Sequence, residues 1–135
     1  MAEYRMTELE ARNTNTNLQA YIGDAVYEVA VRERLIAGKK CGVDKIHRQA
    51  VRYVSADGQA KAIKALACGF LTETEVKVYK RGRNHRSSSR PKNANPRTYK
   101  IATGFEAMLG YLYLSGQDER LEAVMNEAIR VIEEE

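Results

Sequence analysis

Cysteine is scarce in this chain. Cys41 and Cys68 stand alone, with no CxxC spacing and no neighbouring histidine cluster. That pattern excludes a zinc framework of ordinary spacing and a disulfide-stapled scaffold, and two unpaired thiols suit a reducing cytoplasm. No apolar run reaches the ~20 residues that a membrane-spanning helix requires, so no membrane partner is expected. The opening MAEYRMTELEARN is charged throughout and lacks the apolar centre of a secretory signal. Strand-like alternation of useful length, internal repeats and low-complexity tracts are also missing. What is present is a balance typical of a soluble protein: 135 residues, 44% hydrophobic and 30% charged. That length can bury a core without staples. The expectation is one cytoplasmic domain over residues 1–135, all-α.

Acid is missing from one stretch. Residues 77–100 hold nine basic side chains (Lys77, Lys80, Arg81, Arg83, Arg86, Arg90, Lys92, Arg97 and Lys100) and no Asp or Glu. The remaining residues hold 13 basic and 18 acidic side chains, so the net charge of +4 comes from this segment. A charge run on its own is as often a solvated face as a binding surface. In an otherwise acidic chain it is better explained by a polyanionic partner.

Helical signals dominate. Asn17 can cap a helix over 17–37, with Gly38 after its end. Asp44 can cap a shorter one through Val54, and Ser55 the next, followed by Gly69. Thr72 and Glu75 have capping-box spacing for a helix running into the basic segment. RSSSRPKNANP reads as an irregular loop. Asn95-Pro96 then opens a helix to Leu114, since Pro is well placed in a first turn. Ser115-Gly116 ends it, and a plain amphipathic helix over 117–133 follows.

Two helices break the amphipathic rule. In LQAYIGDAVYEVAV (18–31) the only charges are Asp24 and Glu28, one turn apart. In IATGFEAMLGYLYL (101–114) Glu106 is the only charge. A helix apolar on all sides belongs in an interior, so both segments are expected to be buried. An unpartnered carboxylate there is several kcal/mol unfavourable. One reading pairs the acids with a base elsewhere, such as Lys100 or an arginine from 81–90; another leaves them protonated or reaching the surface. A third brings Asp24 and Glu106 together across two helices to share a divalent cation. Few hard oxygen ligands beside a phosphate-bearing substrate suit Mg²⁺. Gly23 and Gly110 would let those helices approach closely. An acidic site near a basic loop fits phosphodiester hydrolysis of nucleic acid.

YIGDAVYE (21–28) resembles the signature helix of the ribonuclease III catalytic domain, and FEAMLGYLYL (105–114) resembles that family's second catalytic helix. RGRNHRSSSRPKNANPRTYKIATGFEAMLGYL (81–112) is similar to the family's short bacterial branch, Mini-ribonuclease III. The resemblance covers about residues 17–130. It implies an all-helical endonuclease domain that forms a homodimer, with two active sites in a valley holding double-stranded RNA. It implies Mg²⁺-dependent hydrolysis leaving 5′-phosphate and 3′-hydroxyl ends. The branch is associated with maturation of large-subunit (23S) precursor ribosomal RNA, which makes the nascent large ribosomal subunit a further candidate partner.

Carried over by motif, Asp24 and Glu106 are the catalytic, metal-binding carboxylates. Most family members have Glu at the position of Ala20 and Asp at that of Thr103, so this site offers two protein carboxylates instead of four. Glu28 is either a group just outside the ligands or a plain helix residue. No separate double-stranded-RNA-binding domain follows the catalytic motifs, so RNA binding is expected from Arg86, Arg90, Lys92 and Arg97 on the loop and from Arg81, Arg83 and Lys100 at the helix ends. Such contacts would read an A-form duplex by shape and phosphate. Tyr21, Tyr27, Tyr111 and Tyr113 are expected in the core or the dimer interface. The rival is a non-catalytic RNA-binding module for ribosome assembly with a degenerate nuclease fold. It accounts for the basic loop but not for acids kept in apolar helices.

Overall fold

Most helix boundaries trace to a local signal. The computed structural model describes residues 2–38, 41–86 and 95–134. After a short 3₁₀ turn at Ala2–Tyr4, helix α1 spans Glu8–Arg12. Its start is a full capping box: Glu10 N–H donates to Thr7 Oγ1 at 3.1 Å, and Thr7 N–H donates to the Glu10 carboxylate at 3.0 Å. Five residues are too few to show an apolar period, which is why no helix was expected there. Helix α2 spans Thr16–Gly38. It begins one residue before the expected start, because Asn15 and not Asn17 does the capping: Asn17 N–H donates to Asn15 Oδ1 at 2.8 Å.

Helix α3 spans Val43–Val54; its N-cap is Gly42, and the expected cap, Asp44, lies in the first turn. Ser55 ends α3 and caps α4, Ala56–Leu66, through Gly58 N–H at 3.1 Å. The Thr72–Glu75 box opens α5, Glu73–Asn84. Asn95 accepts from Arg97 and Thr98 N–H at 3.0 and 3.2 Å and opens α6, Pro96–Leu114. Gly116, at φ +73°, turns the chain into α7, Asp118–Glu133.

Helix α6 is the axis of the fold. It packs chiefly against α2, α5 and α4, with α1 and α7 completing the jacket. Phe105, Met108, Leu109 and Leu112 are fully buried along it, each worth about 1.5–3 kcal/mol in removal from water. Tyr27 of α2 sets its ring edge-on to Phe105, centroids 5.2 Å apart. The N-terminal segment is fastened to the far end of α6: Met6 N–H donates to the Leu114 carbonyl at 2.6 Å, and Tyr111 Oη donates to Glu8 at 2.7 Å.

The expectation of burial on all sides holds for α6 and fails for α2. One face of α2 packs inward through Gln19, Gly23, Tyr27, Val31 and Leu35, while Leu18, Tyr21, Val29 and Ile36 lie exposed, Tyr21 at 81%. No element among the described residues covers that stripe, so an apolar pattern around a helix need not mean burial within the chain. Tyr27 and Tyr111 are core residues, as expected; Tyr113 is half-buried beneath the Arg5 guanidinium.

Candidate active site

The crossing of α2 and α6 sets the site. A Cβ on Gly23 would lie 1.8 Å from the Glu106 carbonyl oxygen, and a Cβ on Gly110 would lie 1.8 Å from the Gln19 carbonyl oxygen. Nothing larger than hydrogen fits at either position, so the two backbones touch. Asp24 follows the first glycine, and Glu106 lies one turn before the second. Their carboxyl groups consequently come within hydrogen-bonding reach of each other. Two acids 82 positions apart in sequence meet because two glycines let their helices do so.

The two environments differ. Asp24 is exposed, on the rim, contrary to the expected burial of its helix. Glu106 sits deeper. Burial, and then the negative charge of Asp24, push its carboxyl up to about 8. A single hydrogen bond opposes this: Gln59 Nε2 of α4 donates to Glu106 Oε2 at 3.2 Å. No cation among the described residues acts on the Glu106 charge, so a pairing with Lys100, Arg81, Arg83 or Arg86 does not describe it; Arg90 lies outside the described residues. No group of three or more His, Cys, Asp or Glu placed to hold a metal ion occurs among the described residues. Thr103, where most family members carry Asp, turns its hydroxyl to the Tyr99 carbonyl at 3.0 Å. Glu28, one turn after Asp24, faces Arg32 across 3.5 Å, an ordinary i,i+4 pair.

The basic residues separate into two kinds. Arg81 is engaged: its Nη2 donates to Gln19 Oε1 at 2.9 Å and to the Thr14 carbonyl at 3.2 Å. Gln19, fully buried, passes the connection to the Ala11 carbonyl at 2.8 Å. Arg83 lies along the Tyr79 ring, 5.5 Å from its centroid, with Nε donating to Asn84 Oδ1 at 3.1 Å. Arg86, Arg97 and Lys100 are exposed at the facing ends of α5 and α6. Arg90 and Lys92, and with them the centre of the loop, lie outside the described residues. Sequence reasoning missed Gln59, which nothing in its neighbourhood distinguishes from a solvent-facing helical glutamine. It also missed the tie from Arg81 to Gln19, which joins positions 62 residues apart.

Comparison with known proteins gives a family and a fold. The family model described as ribonuclease III domain matches residues 19–117. The Mini-ribonuclease 3 of Clostridium tetani is 43% identical over 129 residues, 95% of this chain and 85% of that protein. Its namesakes from Symbiobacterium thermophilum and Enterococcus faecalis are 49% and 46% identical, over 84% and 85% of this chain and 87% and 88% of theirs. A crystal structure of a Fusobacterium nucleatum protein superposes with a TM-score of 0.78 over 93% of this chain and 98% of that one; at 23% identity it speaks for the fold alone.

Proposed function

Because the chain belongs to the ribonuclease III family and is an endoribonuclease of its Mini-ribonuclease 3 branch, we propose that it acts as a homodimer, with Mg²⁺, on double-stranded RNA in the maturation of large-subunit precursor ribosomal RNA. The observation that carries the cation reading is the Asp24–Glu106 pair: two acids close enough for one to raise the other's pKa, the second largely buried with no cation beside it among the described residues. Like charges so placed repel, and a divalent cation removes the repulsion while displacing the proton that Glu106 otherwise retains. Oxygen donors alone, few of them and with one rim open to water, fit Mg²⁺ beside a phosphate. Asp24 and Glu106 would hold it. The ion, when bound, supplies positive charge against the scissile phosphate and makes water a better nucleophile near neutral pH.

The chain's own residues supply the remainder. Arg86, Arg97 and Lys100, together with Arg90 and Lys92 of the loop, hold the duplex by its phosphates. Arg83, at the α5 end of that surface, holds the RNA backbone with them, and Arg81 contributes chiefly by fixing the start of α2, which carries Asp24. The exposed stripe Leu18, Tyr21, Val29 and Ile36 is the face that a second copy would cover. A two-fold dimer brings two such sites to the two strands of one duplex, as cutting both strands requires. No helix among the described residues is long and apolar enough to cross a membrane.

The test is incubation of the protein with perfect double-stranded RNA in Mg²⁺ or in chelator, followed by analysis of the ends. Cleavage in Mg²⁺ alone, leaving 5′-phosphates, is expected. Duplex binding without cleavage under any divalent cation would favour the non-catalytic module.

A further inference from the structure

Gln59 is a polar side chain where the fold calls for an apolar one. It lies on the inner face of α4, 1% exposed, beside the core residues Ala60, Ala62 and Ile63. A buried amide is unfavourable by roughly 1–3 kcal/mol unless its groups find partners. Its nitrogen faces two acceptors, the Val54 carbonyl at 3.0 Å and Glu106 Oε2 at 3.2 Å. Rotating the amide would set its oxygen against both, so the nitrogen side is fixed. Both N–H groups are then used. Gln59 Oε1 is left buried with no partner among the described residues.

The bond to Val54 links the end of α3 to α4, and a purely structural role would stop there. It does not explain the second N–H, which goes to a carboxylate that is itself unfavourably buried. Glutamate has three side-chain torsions, and Glu106 has no cation to hold it still. A neutral donor can orient the carboxylate without neutralising it.

We infer that Gln59 is the positioning residue of Glu106: its Nε2–H fixes Glu106 Oε2 and so sets how that carboxylate is presented beside Asp24. The inference rests on the cation reading proposed above. Residues that orient the ligands of a metal typically change affinity or activity by about 10–100-fold when removed.

The test measures Mn²⁺ binding by paramagnetic resonance on the RNA-free protein, in parallel with cleavage kinetics in Mg²⁺. Gln59→Met keeps length and volume and removes both polar atoms. Its Mn²⁺ affinity should weaken about 10–100-fold and kcat should fall by a similar factor, while KM for duplex RNA stays within about twofold. Circular dichroism establishes that the variant is folded; if it is not, Gln59→Leu, which likewise removes both polar atoms and adds no ligand, is judged by the same criterion. A folded variant with wild-type Mn²⁺ affinity and kcat overturns the inference, whatever its melting temperature. Glu106→Gln is the control: if it loses Mn²⁺ while the Gln59 variant retains it, only the role of Gln59 falls. If wild type and Glu106→Gln bind Mn²⁺ alike, the cation reading falls and takes the inference with it.

Discussion

Two glutamates lie inside this protein, and their surroundings are opposites. Glu75, 2% exposed at the start of α5, accepts from Arg120 Nε and Nη2 at 2.8 Å each and from Thr72 N–H at 2.9 Å. Burial works to raise its pKa, but the Arg120 fork and the Thr72 N–H outweigh it and hold the carboxyl below the usual range. Glu106 has no fork and no cap. It has one neutral donor and a second acid as neighbour, and its carboxyl is pushed up to about 8. The first arrangement satisfies a buried charge within the chain. The second leaves a carboxyl that no described cation neutralises, so it keeps its proton up to about pH 8. Burial of an acid is therefore no sign of function; burial without compensation is.

The contrast can be broken most sharply at the chemistry. Asp24→Asn and Glu106→Gln keep the shape and should cut duplex RNA on the order of a thousandfold more slowly, several kcal/mol of charge stabilisation at about 1.4 kcal/mol per tenfold. Glu75→Gln should cut within a few fold of wild type at a temperature where it remains folded. Gel assays of the three proteins under one set of conditions decide it, and equal losses would erase the distinction.

Stability should order the same variants in reverse. Glu75→Gln leaves Arg120 facing a neutral partner, and urea unfolding should show a loss near the low end of roughly 3–5 kcal/mol, because Arg120 retains some water. Glu106→Gln should be neutral or stabilising. A Glu106→Gln loss as large as that of Glu75→Gln would mean that the pair at the helix crossing is as well satisfied as the one at Arg120.

pH offers a smaller effect of defined sign. Glu106 binds its proton more tightly folded than unfolded, so between about pH 5 and 8 the native state holds more protons. Stability in chelator should consequently fall as pH rises through that window, by at most about 1.4 kcal/mol per unit from this group. The wild-type slope should be steeper than that of Glu106→Gln. Identical slopes would remove Glu106 from the account.

The smallest expected effect separates Arg81, held within the chain, from the arginines assigned to RNA. Arg86→Ala with Arg90→Ala should lower the salt dependence of duplex binding by about two phosphate contacts, with little change in cutting at saturating RNA. Arg81→Ala should instead loosen the start of α2, seen as a lower melting temperature. Binding isotherms at several salt concentrations on the Glu106→Gln background check the first, and unchanged affinity and slope would move the RNA surface elsewhere.

How far the sequence revealed this follows from the range of each interaction. Ser55, the Thr72–Glu75 box and Asn95-Pro96 act within four residues and could be read directly. Asp24 and Glu106 stood out as single charges in apolar helices, and Gly23 and Gly110 supplied a reason for the helices to meet. The exposure of α2 could not be read, because apolar residues look alike whether the chain or another copy covers them. Gln59 and Arg81 act across 47 and 62 positions and leave no local pattern. The α1 capping box was legible at Thr7 and Glu10 but too short to support a periodic pattern.

The contact of α2 with α6 bears on how this protein can change over generations. A methyl group at position 23 collides with a backbone oxygen that cannot turn aside, and the same holds at position 110. Neither replacement relieves the other, since the second would add bulk to a junction already too full. Mutational drift therefore finds no stepwise path through this pair: a lineage that alters either glycine must part the helices and, with them, the two acids.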